Sequence, residues 1–356
     1  MKHHKHLRFQ LSAALLVFLS YSCSFFPSHD AISGASKSMS ASGNSLFHRT
    51  TETSLETGTM EVTGEVEKAG SVEFDALYIR DLVLKESLFD SNGIQFTGAY
   101  RYVGYSLFDI LNPFKVQKKN KEIFRPEIDI YIIIENSEGE SVVFSWSEIF
   151  HTNNPHKVLL AKKMAPIAPY KKEVNYPVSN QWKIVAGNDF FAFRHLDNPT
   201  KITVKSFDKK EYEIQRDLDP LFSNEVKVFD HDSLIASISA DSFEEVTTYK
   251  SHFYGMGMGY HPSESFSGPQ LQHLLKEKIS LQNPEMTQNG LVCFVGLDGY
   301  RTIFSYSELF NRADQAFPIL SVNNDDGGYY RIFLPADFYA DRSVKALSEI
   351  YFFNAE

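Results

Sequence analysis

The chain has 356 residues, of which 43% are hydrophobic and 14% aromatic, so it can fill more than one hydrophobic core. Its formal net charge of −10 argues against a nucleic-acid partner, because proteins that hold the phosphate backbone carry an excess of Lys and Arg. With two cysteines in all, stability must come from the cores and not from a disulfide framework.

The first residues are typical of an export signal. Residues 2–8 are basic, residues 11–19 are apolar, and Ser20 and Ser22 are small residues at the positions that a signal peptidase reads. The apolar run is too short to span a bilayer as an anchor. The sequence therefore predicts a signal peptide over residues 1–22 and a protein exported to the bacterial cell envelope.

Cys23 follows the predicted cleavage point, as the lipidated cysteine does in a bacterial lipobox. Ser20 stands where a lipobox usually has Leu, with Leu19 one place earlier. We favour lipidation of Cys23 over plain secretion with a free cysteine, so the predicted membrane contact is a lipid anchor only. Residues 23–59 are rich in Ser and poor in large apolar residues, which predicts a disordered tether.

The rest of the chain repeats itself. Residues 145–150 (SWSEIF) recur as residues 305–310 (SYSELF), and residues 189–194 (DFFAFR) recur as residues 337–342 (DFYADR). Upstream, Gly104 and the leucines after it correspond to Gly268 and its leucines. Three matches in one order predict two copies of a single domain, over residues 60–210 and 222–356.

Each copy is predicted to be α+β, rich in strands and with short helices. Residues 128–134 and 291–295 are dense in β-branched and aromatic residues, as buried strands are. Turns at Gly139 and Gly299 complete hairpins with residues 141–145 and 301–305. Short helices with serine caps are predicted over residues 147–150 and 307–310, and further helices over residues 106–111 and 270–275.

This order of elements resembles the molybdopterin-binding domain of the sulfite oxidase family. The resemblance is carried by the opening segment 62–70 (VTGEVEKAG), the Gly with its Leu-rich helix, the turn 298–300 (DGY) and the closing segments 331–335 (RIFLP) and 342–345 (RSVK). It implies two tandem sulfite oxidase-type domains, and a molybdopterin-like pterin as the cofactor.

The chain departs from that family at the metal ligand. Catalytic members supply a cysteine thiolate to molybdenum from the segment before the Leu-rich helix, and residues 82–104 and 246–268 contain no cysteine. Hydroxyls and amides are poor substitutes at a soft-ligand site. Cys293 lies in a predicted core strand, where it behaves as a small hydrophobe. The resemblance therefore implies a non-catalytic protein that binds a ligand or cofactor, and it leaves enzymatic activity open.

Four basic residues are candidates to hold the cofactor, because a phosphate is bound by Arg and Lys. Arg342 and Lys345 match the family's basic closing motif, Arg194 is the equivalent of Arg342 in the first copy, and Arg101 lies in an aromatic loop before Gly104. For Arg194 and Arg342 we favour the alternative of internal ion pairs with the aspartates that begin their repeated segments, since both copies keep them.

The second copy has an unusual loop where the family has its metal-ligating segment. It contains His252, Met256, Met258 and His261 among glycines and aromatic residues. Imidazoles and thioethers suit copper or haem iron. The alternative is a Gly-rich loop whose methionines and rings pack against the domain, which is the more common role of such residues.

Two functions remain. In the first, the chain is a binding lipoprotein that presents a pocket to a small molecule or an envelope protein. In the second, it is an envelope oxidoreductase with a pterin or a Met/His-ligated metal in the second copy. Motifs shared by both copies are expected to be architectural, and the loop over residues 252–261 and its counterpart before Gly104 are expected to carry the function.

Overall fold

A computed structural model describes residues 51–169, 171–239, 243, 245–262, 265–322 and 330–355. The described residues are rich in strands and form short α-helices, as predicted; there are five of these helices, and the one over Pro284–Asn289 was not predicted. None of these helices is long and apolar enough to cross a membrane. The predicted signal peptide, the predicted lipidation site Cys23 and residues 24–50 of the predicted tether lie outside the described residues.

The N-terminal half contains two α-helices, α1 (Leu107–Leu111) and α2 (Trp146–Phe150). Its strands are β1 (Thr53–Ser54), β2 (Glu61–Gly64), β3 (Gly70–Ser71), β4 (Arg80–Asp90), β5 (Gly93–Ser106), β6 (Ile130–Asn136), β7 (Ser141–Ser145), β8 (Val158–Pro166), β9 (Lys183–Ala186), β10 (Leu196–Asp197) and β11 (Pro199–Ser206).

The C-terminal half contains α3 (Leu271–Leu275), α4 (Pro284–Asn289) and α5 (Tyr306–Phe310). Its strands are β12 (Val226–Asp230), β13 (Ser233–Ile238), β14 (Thr247–Lys250), β15 (Tyr254–Gly255), β16 (Gly259–Tyr260), β17 (Ser265–Gly268), β18 (Gly290–Gly296), β19 (Arg301–Ser305), β20 (Ile319–Val322), β21 (Tyr330–Phe333) and β22 (Leu347–Asn354).

The last residues of the predicted tether belong to the fold, so its boundary at residue 59 is wrong. Thr53 and Ser54 pair with Met164 and Lys163 in the antiparallel β1–β8 ladder. Leu55 is 5% exposed within the hydrophobic core of the N-terminal half. A buried leucine, a few backbone hydrogen bonds and ion pairs of Glu52 hold this segment, and none of these gives a compositional signal.

The same five-stranded sheet occurs twice. In the N-terminal half the strand order is β3-β2-β11-β6-β7, and in the C-terminal half it is β13-β12-β22-β18-β19. The pair β2–β11 is parallel, as is its equivalent β12–β22, whereas β6 and β18 pair antiparallel with both neighbours. The two sheets have the same strand order and the same strand directions. The repeat in the sequence is therefore also a repeat in sheet topology.

A second sheet is also repeated. The N-terminal half has the order β10-β9-β8-β5-β4, with β1 added on β8. In the C-terminal half, the pairs β14–β17 and β20–β21 correspond to β4–β5 and β8–β9. The N–H of Leu320 donates to the carbonyl of Pro269 over 3.0 Å, which joins the two pairs at the equivalent place.

The helices after the hairpins are capped by the repeated serines. Gly139 and Gly299 turn the two hairpins with φ of 87° and 78°, as predicted. Helix α2 begins one residue earlier than predicted, because Ser145 is its cap and forms a capping box with Glu148. Ser305 and Glu308 form the same box at α5.

The two five-stranded sheets face each other across a shared apolar core. This core contains Tyr131, Ile133 and Val143 from the N-terminal half, and Leu291, Cys293, Val295 and Ile303 from the C-terminal half. Cys293 is fully buried there, as predicted. The alternating side chains of β6 and β18 therefore serve two cores, one within their own half and one between the halves.

The contact between the halves is reciprocal. The N–H of Phe190 donates to the carbonyl of Asn311 over 2.8 Å, and the N–H of Phe338 donates to the carbonyl of His151 over 2.9 Å. Each half thus places its repeated Asp-Phe segment against the residue that follows the helix of the other half. Such an isologous arrangement is what a two-fold axis between two copies produces.

Candidate functional site

A cavity of about 330 Å³ lies in the C-terminal half, between the loop singled out in the sequence and the closing segment. The loop is a small hairpin, in which Tyr254 pairs with Tyr260 and Gly255 with Gly259. Met258 lies at its turn and His261 at its end, and both line the cavity. The opposite side is formed by Ala340, Asp341, Ser343 and Lys345.

Hydrogen bonds hold the hairpin against the closing segment. The backbone N–H of Met256 donates to Oδ2 of Asp341 over 2.7 Å. The Tyr300 hydroxyl donates to the carbonyl of Asp341 over 3.0 Å. Burial raises the pKa of Tyr300, and the carboxylates of Asp341 and Asp298 raise it further. Tyr300 therefore remains a neutral donor, and Asp341 fixes both walls of the cavity.

Two cations and two aromatic rings line the same cavity. Arg331 lies on β21 and Lys345 follows the closing 3-10 turn. The Arg331 guanidinium lies 5.3 Å from the centroid of Phe253, whose ring is at the base of the hairpin. Tyr300 adds a second aromatic wall. The cavity thus offers flat apolar surface together with two cationic side chains, and the carboxylates of Asp298 and Asp341 line it as well.

The equivalent place in the N-terminal half differs in charge at one of two positions. Lys183 is the equivalent of Arg331. Lys183 precedes Ile184, which pairs with Leu160, and Arg331 precedes Ile332, which pairs with Leu320 in the same way. Lys183 forms an ion pair with Asp197 at 3.4 Å. Asp197 is three residues after Arg194, as Lys345 is three residues after Arg342. The two equivalent positions therefore carry opposite charges in the N-terminal half, in Lys183 and Asp197, and positive charge at both in the C-terminal half, in Arg331 and Lys345.

The predicted basic residues separate into different environments. Lys345 lines the cavity. Arg101 lies in the N-terminal half, where its guanidinium contacts Asp81 at 2.9 Å and Glu52 at 3.4 Å. Arg194 and Arg342 are 0% and 1% exposed and contact protein carboxylates.

The favoured alternative for the two buried arginines, an internal ion pair with the repeated aspartate, is confirmed. Nη2 of Arg194 lies 2.6 Å from Oδ1 of Asp189. Nε of Arg342 donates to Oδ2 of Asp337 over 3.0 Å. Carboxylates of the protein already hold both of these buried guanidiniums, which argues against a contact with a ligand.

The four predicted metal ligands do not converge on one point. Met258 and His261 line the cavity, and Met256 directs its backbone toward Asp341 while its side chain is 44% exposed. His252 lines a different, small cavity of about 20 Å³ with Phe338 and Tyr339. Within the described part of the chain, no three His, Cys, Asp or Glu side chains are grouped so that they could hold a metal ion. A metal at this loop would therefore depend on Met thioethers.

The residues of the cavity fit the organic part of a pterin cofactor better than its metal. Arg331 and Lys345 suit a phosphate, and Phe253 suits a planar ring. No cysteine lines the cavity, since Cys293, the one cysteine of the described residues, is fully buried between the halves. Burial raises the pKa of the Cys293 thiol well above its usual range. A thiolate ligand for molybdenum is therefore absent from these walls.

Sequence reasoning missed three of the residues that shape the cavity. Phe253 and Asp341 lie in segments in which the sequence predicted other residues as site residues. Arg331 lies in the closing motif but was not predicted to be a site residue. The signal that could have found Arg331 is its alignment with Lys183 in the other copy. That alignment becomes useful only when Asp197 and Lys345 are recognised as equivalent too.

No family model matches this chain, and no curated protein is significantly similar to it. The resemblance to the sulfite oxidase family therefore stays a prediction, carried by the sequence motifs.

Proposed function

We propose that this chain is a binding lipoprotein whose C-terminal half holds a planar organic anion in the cavity between the hairpin and Lys345. The observation that carries the proposal is the change from the Lys183–Asp197 ion pair in one half to Arg331 and Lys345 in the other. Duplicated domains keep structural pairs in both copies, so a reversed charge at one position suggests a role in only one of them.

The dimensions of the cavity suit a small molecule. A volume of about 330 Å³ is at the lower end of the range for ligand pockets. The Phe253 and Tyr300 rings offer stacking surface, and the lack of side chains at Gly255 and Gly257 leaves the hairpin backbone open to close approach.

The charged side chains of the cavity favour a ligand with an acidic group and a ring N–H donor. Arg331 and Lys345 favour a carboxylate or phosphate group, and Asp298 supplies a carboxylate that could accept a hydrogen bond from a ring N–H. A heteroaromatic ring with an acidic substituent, as in a pterin carboxylate or a molybdopterin-like pterin, satisfies these requirements together. A redox role for a bound pterin is not part of the proposal, because the cavity offers no thiolate for molybdenum.

Titration of the purified protein with a fluorescent pterin carboxylate tests the proposal. We expect saturable binding with one site per chain, and Lys345→Gln should weaken it by roughly tenfold, the value of one charge-assisted hydrogen bond. The matched control is Lys227→Gln, an exposed lysine on β12 outside the cavity, which should leave the affinity unchanged. Equal affinities for both variants and the parent chain would contradict the assignment of this site.

The membrane attachment is proposed separately, through a lipid on Cys23. We expect the parent chain to partition into the detergent phase of a cloud-point extraction, and Cys23→Ala to move it to the aqueous phase. Unchanged partitioning of the variant would remove the anchor from the proposal without affecting the ligand site.

Metal binding is the second candidate, since Met258 and His261 line the same cavity. An imidazole and a thioether are donors that Cu(I) accepts. Titration of the protein with Cu(I) in competition with a chromophoric chelator tests this candidate, and failure to compete would exclude it.

A further inference from the structure

A second and larger cavity lies between the two halves. Its volume is about 550 Å³, within the range of pockets that hold small molecules. One side is formed by the β4–β5 hairpin and residues 190–193, and the other by residues 272–287 and 310–317. Interfaces between domains are preferred places for ligand sites.

The N-terminal side of this cavity is a cluster of phenylalanines. Phe89, Phe190, Phe191 and Phe193 line it, and Phe191 contacts the other three with ring centroids 4.8 to 6.1 Å apart. None of these four rings belongs to the hydrophobic cores found among the described residues. Phe190 is 40% exposed. The cluster thus presents apolar surface to the cavity instead of filling a core.

The equivalent rings of the C-terminal half lie beside a hairpin and a much smaller cavity, although Phe338 itself is 49% exposed. Phe338 and Tyr339 have the same edge-on arrangement as Phe190 and Phe191, again with centroids 4.8 Å apart. Tyr254 of the β15–β16 hairpin lies 5.9 Å from Phe338 and 6.3 Å from Tyr339. The cavity beside this pair has a volume of only about 20 Å³. Among the described residues, the large cavity therefore lies beside this aromatic pair in one copy and not in the other.

The charge on the lining is positive. Lys276 and Arg312 line the cavity, and none of the described residues that line it is acidic. The Arg312 guanidinium is held by Asp314, with hydrogen bonds of 2.6 and 2.9 Å. Lys276 lies at the exposed end of α3. In a chain with a net charge of −10, an aromatic cavity with a lysine at its edge favours an anion with an apolar body.

The cavity is extended beyond the phenylalanines. A neighbouring cavity of about 560 Å³ shares Phe89 and Gln282 with it and reaches the turn of the β4–β5 hairpin at Asn92. The residues that line this neighbouring cavity are mostly polar and include Asp90, so the crevice is elongated but its apolar surface lies mainly in the part lined by the phenylalanines.

We propose that the crevice between the halves binds a single-chain hydrophobic carboxylate, with its chain over the phenylalanines and its carboxylate at Lys276. This site is independent of the cavity at Lys345. It differs from that cavity in chemistry, since the four clustered phenylalanines line it among polar side chains such as Gln272 and Thr287, and none of its described lining residues is acidic.

Fluorescence titration with a dansyl-labelled undecanoic acid, and with its neutral methyl ester, tests the proposal on the full chain. Phe190→Ala should weaken the binding of both probes by about tenfold or more, because a phenyl ring is removed from the apolar contact. Its matched control is Phe338→Ala, the equivalent ring of the other half, which should change neither. Circular dichroism verifies that both variants keep the fold.

A second pair of variants tests the charge. Lys276→Gln should weaken the acid by about fivefold to tenfold and leave the ester unchanged. The matched control Lys278→Gln replaces an exposed lysine that does not line the cavity, and it should affect neither probe. Absence of saturable binding would overturn the proposal. So would equal effects of Phe190→Ala and Phe338→Ala, or a loss of binding caused only by Lys345→Gln, which would place the probe in the other cavity.

Discussion

The repeated acids and arginines form one buried cluster at the contact between the halves. Arg194 contacts Glu148 at 2.9 Å and Asp189 at 2.6 Å, and Arg342 contacts Glu308 and Asp337. Each arginine also reaches across, because Arg194 donates to Oγ of Ser305 over 3.1 Å and Arg342 to Oγ of Ser145 over 3.3 Å. The cluster has four carboxylates around these two guanidiniums, so full ionisation would leave buried negative charge.

The excess of carboxylates has consequences for protonation. Burial raises the pKa of Glu148 from 4.5 to about 7, with the Glu308 carboxylate raising it and Arg194 opposing both. Burial likewise raises the pKa of Asp337 to about 6, against the effect of Arg342. A carboxyl whose folded pKa exceeds its unfolded pKa stabilises the fold fully below the unfolded pKa. That contribution is lost as the pH rises through the folded pKa.

We therefore predict that Glu148 makes the fold less stable as the pH rises from 5 to 8. Glu148→Gln, which mimics the protonated form, should reduce the loss of unfolding free energy over this interval by on the order of 2 kcal/mol. The control is Glu138→Gln at an exposed turn position. Urea unfolding at both pH values measures the difference, and equal pH dependence in the parent chain and Glu148→Gln would contradict the prediction.

At the residue scale, the sequence predicted the aspartate partner that lies five residues before each buried arginine. It did not predict the serine partner of each arginine in the other half. The pairs Asp189–Arg194 and Asp337–Arg342 follow from a repeated motif. The contact between Arg194 and Ser305 joins residues that no local pattern relates. Only the packing of two sheets brings them together, so the repeat indicated architecture without indicating an interface.

At the scale of elements, the most constrained positions are two equivalent glycines. A Cβ on Gly104 would lie 2.0 Å from the carbonyl oxygen of Leu160, and one on Gly268 would lie 2.0 Å from that of Leu320. Both glycines sit where the strand leading into α1 or α3 crosses its neighbour closely. The repeated Gly before the Leu-rich helix is thus explained by backbone approach.

We predict that Gly104→Ala and Gly268→Ala each destabilise the fold by about 1–3 kcal/mol, as overpacking against backbone does. Gly70→Ala is the control, because a Cβ at that strand position meets nothing within 4 Å. Thermal unfolding measures all three variants. A variant at Gly104 or Gly268 that melts like the Gly70 control would refute the close approach.

The repeated hairpins and the helices α1, α2, α3 and α5 were predictable because their signals are local, whereas α4 was not predicted. Gly at each turn, Ser at each cap and apolar residues at helical spacing all act within a few positions. The β15–β16 hairpin was not predicted, since its strands are two residues long and consist of Gly and Tyr. Its position against Phe338 and Asp341 comes from tertiary contact alone.

At the scale of the whole molecule, the halves share a core as well as a charged cluster. The core between the sheets contains ten buried side chains, and the Asp129 carboxylate there joins Lys118 of its own half to Arg301 of the other. An interface of this apolar character resembles the interior of a domain more than a transient contact. The crevice proposed for the hydrophobic carboxylate is kept open between two surfaces that this core holds in place.

We predict from this interface that the two halves unfold together. Differential scanning calorimetry should show one transition with equal calorimetric and van't Hoff enthalpies. Two resolved transitions, each with its own enthalpy, would contradict a shared core.

The most direct test of the ligand-binding account is analysis of what the protein carries when it is purified from its native source. Denaturing mass spectrometry of released small molecules, combined with elemental analysis of the same sample, measures organic ligand and metal together. The account predicts an aromatic organic anion at about one per chain, without stoichiometric molybdenum or copper. Stoichiometric metal in the sample, with its loss in Met258→Leu and His261→Ala, would contradict it.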